Sequence, residues 1–256
     1  AIRDAQESRG LGDVYKRQII DSAKTRKSKR GKNPHSQPDA DQPLSGKTMI
    51  MIFEKTSTRT RISFDLAVKQ LGGSSIILNQ DEIHYGKGDE TIKDTAKVLS
   101  QYGNILMIRT DLHKNVEEFK HHLNIPIING LTNLGHPCQV MSDILTFEEL
   151  KGNIKNKTIA WIGDGNNVCH SYMEAANLLG FELSIFCPSG YEPDSGILES
   201  TKNAVSLTKD KDTALKNADI VTTDVWTSMN SSSQSDKKEK IFKDFFVSPQ
   251  DMKKAK

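Results

Sequence analysis

Cysteine is scarce in this 256-residue sequence: Cys138, Cys169 and Cys187 are widely spaced and form no Cys-x-x-Cys pair. An odd, scattered set argues against a disulfide scaffold or a structural zinc site. It fits a reducing compartment, the cytoplasm or, for a eukaryotic parent, the mitochondrial matrix. Long apolar runs are missing too, and none approaches the roughly 18–20 residues that cross a bilayer. Neither sign of charge dominates, with 35 Lys+Arg against 33 Asp+Glu, so no overall field recruits nucleic acid or membrane. Residues 1–18 lack the apolar core of a secretory signal, mixing Asp4, Glu7 and Asp13 with Arg3, Arg9 and Lys16. They read as a foreign or disordered segment.

One basic run stands out. KTRKSKRGK, residues 24–32, carries six basic side chains in nine. The reading is a solvated basic loop, with a nucleic-acid or targeting patch as the alternative. The Pro- and Asp-rich NPHSQPDADQP after it reads as a loop.

From Lys47 onward the chain alternates short apolar runs with amphipathic ones. Strands are expected at 48–53, 75–78, 105–108 and 125–128, with helices at 59–71, 90–102 and 115–123 between them. Pro137 opens a helix running to about Leu150. A second series follows: strands 158–163, 182–187, 204–208 and 219–226, with helices 168–179, 194–203 and 212–217. Apolar, non-alternating strands separated by helices imply parallel sheets covered on both faces. The expected fold is α/β: two doubly wound parallel-sheet domains, 19–150 and 151–256, joined by the Pro137 helix. Beyond Trp226 the periodicity dissolves into SMNSSSQSDKKEK.

Three strand ends in the first series carry polar chemistry. STRTR, 57–61, puts Ser57, Thr58, Thr60 and the Arg59 fork where a strand feeds a helix. Free backbone N–H groups and the helix dipole there favour a phosphate, although an ordinary N-cap with surface arginines has the same sequence. Arg109 closes the next strand, and GLTNLGHPCQ brings His136 and Gln139 after another. Together these groups suit a phosphate with an adjacent carbonyl. In the second series WIGDGNNVCHS has Gly163 and Gly165 but Val168 where a dinucleotide fingerprint needs its third glycine. DVWTSM places Asp224 and Ser228 past a strand end.

FEKTSTRTRISF, NGLTNLGHPCQVMSDILT, IGDGNNVCHS and DVWTSM, in this order over roughly residues 44–229, resemble the aspartate/ornithine carbamoyltransferases. The DGNN and DVWTSM stretches are nearer to the members that use ornithine. The resemblance implies that Ser57, Thr58, Arg59 and Thr60 hold the phosphate of carbamoyl phosphate. Arg109, His136 and Thr60 polarise its carbonyl, so that Arg59, Arg109 and His136 form the catalytic set, and Gln139 holds the carbamoyl nitrogen. Asn167 and the Met229 backbone take the ornithine carboxylate, and Asp224 and Ser228 its α-ammonium. It further implies no metal, no cofactor, and a homotrimer in which His84 reaches the neighbouring subunit.

The sequence departs from that pattern. The His-Cys-Leu-Pro motif is absent, Asn230 replaces the glycine after Ser228–Met229, and IIDSAK at 19–24 looks like the end of a truncated first helix. The chain as given is therefore expected to have little transferase activity. Two rival readings are an inactive fragment and a non-catalytic phosphate- or nucleotide-binding α/β protein; a third is a carbamoyltransferase for another amine.

Overall fold

The computed structural model describes residues 12–30, 37–86, 88–226 and 235–256. Contacts divide the chain into two units, Ala1–Cys138 and Gln139–Lys256.

The first unit contains α1 (Gly12–Arg30), β1 (Thr48–Phe53), α2 (Thr58–Gln70), β2 (Ser74–Asn79), α3 (Ile92–Tyr102), β3 (Ile105–Arg109), α4 (His113–His122) and β4 (Ile127–Leu131). Its four strands are parallel, in the order β2-β1-β3-β4. The uninterrupted apolar run Met49–Phe53 suits the centre of that sheet, where every residue is 5% exposed or less. One face packs Ile50, Ile52, Leu106 and Ile108 against Phe119, Leu99 and Ala96 from α3 and α4. The other packs Met49, Met51 and Met107 on Val68 of α2. Burying each such side chain contributes roughly 1.5–3 kcal/mol before entropy is counted. Thr91 caps α3 by accepting from Asp94 N, and Gly103 ends that helix.

The second unit begins inside α5 (Pro137–Lys151) and continues through β5 (Thr158–Ile162), α6 (Asn167–Leu179), β6 (Glu182–Phe186), α7 (Ser195–Thr201), β7 (Val205–Thr208), α8 (Lys211–Leu215), β8 (Ile220–Thr222), α9 (Ser235–Phe242) and α10 (Pro249–Met252). Its sheet is also parallel, ordered β7-β6-β5-β8. Trp161 and Ile162 on β5 are fully buried. Asn166 caps α6 through Val168 N and Cys169 N, and Gly180 ends it with φ +71°, a left-handed conformation that suits glycine.

Two parallel α/β units are thus present, as expected, with differences at particular elements. The basic run is helical to Arg30 rather than a loop, because Arg26 and Arg30 have acidic partners. Of the segment read as foreign or disordered, Gly12–Gln18 form the start of α1, while 1–11 lie outside the described residues. The contact boundary falls at 138/139 instead of 150/151. Most of α5 sorts with the second unit, held there by Tyr172 Oη to Asp143 at 2.8 Å and by Ile154 N to Glu148 at 2.9 Å. β4 starts two residues later than expected, and β8 stops at Thr222. Past Trp226, where the sequence periodicity dissolves, α9 buries Phe242 completely against Tyr191 and Trp226. Ser248 and Asp251 form a capping box on α10, with Pro249 at its start. Among the described residues no helix is long and apolar enough to cross a membrane.

Asp39 ties three segments together. Its carboxylate, 8% exposed, accepts from Arg30 Nε at 2.7 Å and from Arg26 Nη1 at 2.8 Å, while its backbone N–H donates to Gln70 O at 2.7 Å. The Arg30 hydrogen bond, aided by Arg26, outweighs burial and holds Asp39 at about 2, below its ordinary 3.8. A depressed carboxylate stabilises the folded state above its unfolded pKa and loses that contribution as pH falls through the folded one. Asp39→Asn is expected to lower the unfolding free energy at neutral pH by about 2 kcal/mol. It should also flatten the loss of stability expected of the parent between about pH 4 and pH 2. Identical acid-denaturation curves for parent and variant would count against this clamp.

Candidate active site

Parallel pairing sets the carboxyl ends of β1, β3 and β4 in one row. Phe53 is in register with Arg109, and Arg109 with Leu131. The chain runs outward from β1 to β2 on one side and from β3 to β4 on the other, so β1/β3 is the switch point of the sheet. Ligands gather at the carboxyl ends of the strands beside such a point. Ser57 and the first turn of α2, Arg109 at the end of β3, and the loop with His136 all lie at or beyond this edge.

Ser57 occupies the N-cap position of α2 in an extended conformation, φ −157° and ψ 108°, but its side chain makes no capping hydrogen bond. The ordinary cap reading therefore does not account for its hydroxyl. The strand end and first turn of α2 open on a cavity of about 570 Å³ whose lining includes Glu54, Ser57, Thr58 and Arg61. Arg109 Nη1 donates to Thr60 Oγ1 at 3.2 Å. The Nε of Arg109 is buried without a hydrogen-bond partner. Burial lowers the Arg109 pKa; Asp111 acts to raise it and the Arg59 cation lowers it again. Two cations near each other, one with an unsatisfied buried donor, favour an incoming anion.

Glu54, immediately past β1, was not singled out by sequence. It accepts from Tyr85 Oη at 2.6 Å, Thr110 Oγ1 at 2.5 Å and Asn115 Nδ2 at 3.3 Å. Its own N–H donates to Arg109 O at 3.0 Å. One carboxylate thus ties the segment behind STRTR to the residue after Arg109 and to the loop holding the exposed His84. Tyr85 is buried edge-on against Phe119 at 5.1 Å. Desolvation first, then Glu54, raises its hydroxyl well above the usual phenol range, so it remains a donor.

His136 is half-buried directly before Pro137, the first residue of α5. Thr132, on the same loop, accepts Leu134 N and Gly135 N at 3.3 and 3.2 Å, which folds the loop tightly. Gln139 is exposed one turn further along and donates from Nε2 to Asp143 Oδ1 at 2.8 Å. The cysteines are poor nucleophiles here: burial pushes Cys138 and Cys187 up to about 11 and Cys169 well above its ordinary value.

In the second unit the switch point lies between β5 and β8. Asn166 and Asn167 follow β5, Asp224 follows β8, and Asn166 Nδ2 donates to Asp224 Oδ2 at 2.9 Å. Asn166, unlike Asn167, is not among the residues that the motifs mark, although an Asn directly before a helix is a capping signal. Asn167 is half-buried at the first position of α6. Ser228 and Met229 lie outside the described residues. A Cβ on Gly165 would lie 2.4 Å from Pro193 N, and Gly165 N donates to Tyr191 O at 2.9 Å. Gly165 is therefore explained by close packing on residues 191–193, which weakens the nucleotide-binding reading further.

Comparison with known proteins gives a consistent picture. Residues 7–149 match the family described as aspartate/ornithine carbamoyltransferase, carbamoyl-P binding domain. Residues 155–256 match its Asp/Orn binding domain. The chain is 47% identical over 216 residues to the ornithine carbamoyltransferase of Rhizorhabdus wittichii, covering 83% of this chain and 70% of that protein. With the ornithine carbamoyltransferase of Caulobacter vibrioides it shares 51% identity over 216 residues, 83% of this chain and 69% of that one. Among solved structures, the ornithine carbamoyltransferase of Pyrococcus furiosus aligns with a TM-score of 0.85 at 37% identity, over 100% of this chain and 80% of that one.

The Glu54 tether predicts a local effect. Tyr85→Phe should reduce stability by roughly 1–3 kcal/mol, as loss of a hydrogen bond to a charged group does. Amide exchange at residues 80–86 should speed up, with the strands unaffected. Unchanged exchange in that loop would show that Tyr85 does not hold it.

Proposed function

The chain belongs to the aspartate/ornithine carbamoyltransferase family, and we propose that it transfers the carbamoyl group of carbamoyl phosphate to the δ-amine of L-ornithine, giving citrulline and phosphate. The observation that carries the reading is the Thr60–Arg109 pair at a helix N-terminus, with a buried, unsatisfied guanidinium N–H and Arg59 nearby. In this reading Ser57, Thr58, Arg59 and Thr60 hold the phosphate. Arg109, His136 and Thr60 donate to the carbonyl oxygen, and Gln139 holds the carbamoyl nitrogen. Asn167 with the Met229 backbone takes the ornithine carboxylate, and Asp224 with Ser228 the α-ammonium.

The neutral δ-amine attacks the carbamoyl carbon, and a C–N bond forms while charge builds on the carbonyl oxygen. The C–O bond to phosphate then breaks, phosphate departs with that electron pair, and the departing phosphate takes up the proton that the attacking nitrogen loses. Positioning and stabilisation of developing negative charge suffice for such a step. We further propose a cytoplasmic homotrimer acting in arginine metabolism, with His84 contributed to a neighbouring copy. The exposed position of His84 on a loop is compatible with that role.

Arg59→Ala is expected to weaken binding of carbamoyl phosphate about ten- to a hundredfold, or roughly 1.5–3 kcal/mol, as removal of a charge-assisted contact does. Calorimetric titration of the folded variant at parental affinity would remove Arg59 from the site.

The zwitterionic head of ornithine needs partners of both signs, so the amine acceptor provides a separate test. With isotopically labelled carbamoyl phosphate, label should enter citrulline faster than it enters the product of putrescine or aspartate. Asp224→Asn should reduce labelling of citrulline while leaving carbamoyl phosphate binding intact. Equal labelling of ornithine and putrescine would defeat the assignment of the amine.

A further inference from the structure

We infer that Asp143 is a positioning residue that fixes the orientation of the Gln139 side-chain amide, so that the carbonyl end of that amide is presented to the nitrogen of the carbamoyl donor. The inference rests on the proposed role of Gln139.

An ionised Asp accepts hydrogen bonds and donates none, so the group that Gln139 sets against Asp143 Oδ1 at 2.8 Å must be its NH₂. The amide can otherwise turn over with little change in shape. Held this way it keeps Oε1, an acceptor, for a further partner. A carbamoyl group differs from other acyl groups in carrying N–H donors, and an acceptor is what distinguishes it.

An i,i+4 Gln–Asp pair on a helix surface is by itself commonplace and contributes only a few tenths of a kcal/mol. Here the Asp is held from behind. Tyr172 Oη donates to Asp143 Oδ2 at 2.8 Å. The Tyr172 side chain is 2% exposed and packs against the fully buried Trp161, ring centres 5.7 Å apart. Desolvation first, then Asp143, raises the Tyr172 hydroxyl well above the usual phenol range, so it stays a donor. Both carboxylate oxygens are thus occupied by donors from different helices, α5 and α6. A flexible surface amide is linked in two steps to the core of the second unit.

The test compares three ligands: carbamoyl phosphate, acetyl phosphate, which has a methyl group in place of the nitrogen, and inorganic phosphate. Their affinities are measured calorimetrically for the parent chain, Asp143→Ala and Tyr172→Phe. The parent is expected to prefer carbamoyl over acetyl phosphate. Asp143→Ala should lose about tenfold of that preference through weaker carbamoyl phosphate binding, as loss of an oriented hydrogen bond does. Its affinities for acetyl phosphate and inorganic phosphate should not change. Tyr172→Phe, which leaves Asp143 in place but untethered, should move the same ratio in the same direction by less. An unchanged ratio in folded Asp143→Ala overturns the inference, as does an equal loss for all three ligands, which would mark Asp143 as structural only. Failure of the parent to bind any of the three would instead overturn the proposed function on which the inference rests.

Discussion

Parallel strand pairing is the constraint from which the chemistry of this chain follows. With every strand of a sheet pointing the same way, all carboxyl ends share an edge, and each loop leaving that edge leads into a helix. The register Phe53–Arg109–Leu131 makes this concrete, since three loops remote in sequence start within one row. No single loop is a convincing ligand site. A hydroxyl-rich N-terminus, one arginine and one histidine leave the same edge of the sheet only because its strands are parallel. The second unit repeats the device with Asn166 and Asp224, whose 58-residue separation closes to a 2.9 Å hydrogen bond.

The polar groups at these edges are tolerated because carboxylates order them. Arg109 is half-buried, its Nε fully so, near another cation, an arrangement that costs free energy unless neighbours compensate. Asp111 acts in that sense on Arg109, and Glu54 fixes the segments on either side by accepting donors from Tyr85, Thr110 and Asn115. Surface ion pairs such as Lys55–Asp111 at 2.7 Å contribute much less, because both partners are largely exposed and screened. The distinction that matters is burial: the same residue types are anchors in one place and solvated charges in another.

Strands with continuous apolar runs, and helices marked by a capping residue or a terminal glycine, were legible in the sequence because local physics determines them. Thr48–Phe53 and Asn167–Leu179 were expected within a residue of their observed ends. The candidate donors at strand ends were legible for the same reason: a polar residue after an apolar run is conspicuous. What escaped were partners supplied by tertiary structure. The basic run at 24–30 looks solvated until Asp39 and Asp41 are brought to it. α9 has too few apolar residues to show a stripe, and it is held by Phe242 and by Lys238, which reaches Asp164 at 2.7 Å across 74 residues. Ser248-Pro-Gln-Asp251 did carry a readable helix start, a capping box with proline at the first position.

Acceptor-only carboxylates give these parts a common logic. A hydroxyl, an amide or a histidine can present either a donor or an acceptor, and its behaviour toward a ligand depends on which. A carboxylate removes that freedom from whatever it touches. Glu54 obliges Tyr85, Thr110 and Asn115 to donate, Asp143 does the same to Gln139 and Tyr172, and Asp224 orients the amide of Asn166. Asn166 in turn offers its carbonyl oxygen to Val168 N and Cys169 N, so the bond to Asp224 and the cap on α6 require the same rotamer and the same amide orientation. Substituting either member of that pair therefore acts on helix stability and on the proposed ammonium contact at once. Where two such demands fall on one side chain, affinity and stability should change together, and where they fall on separate side chains, as with Asp39 and Arg59, they should not.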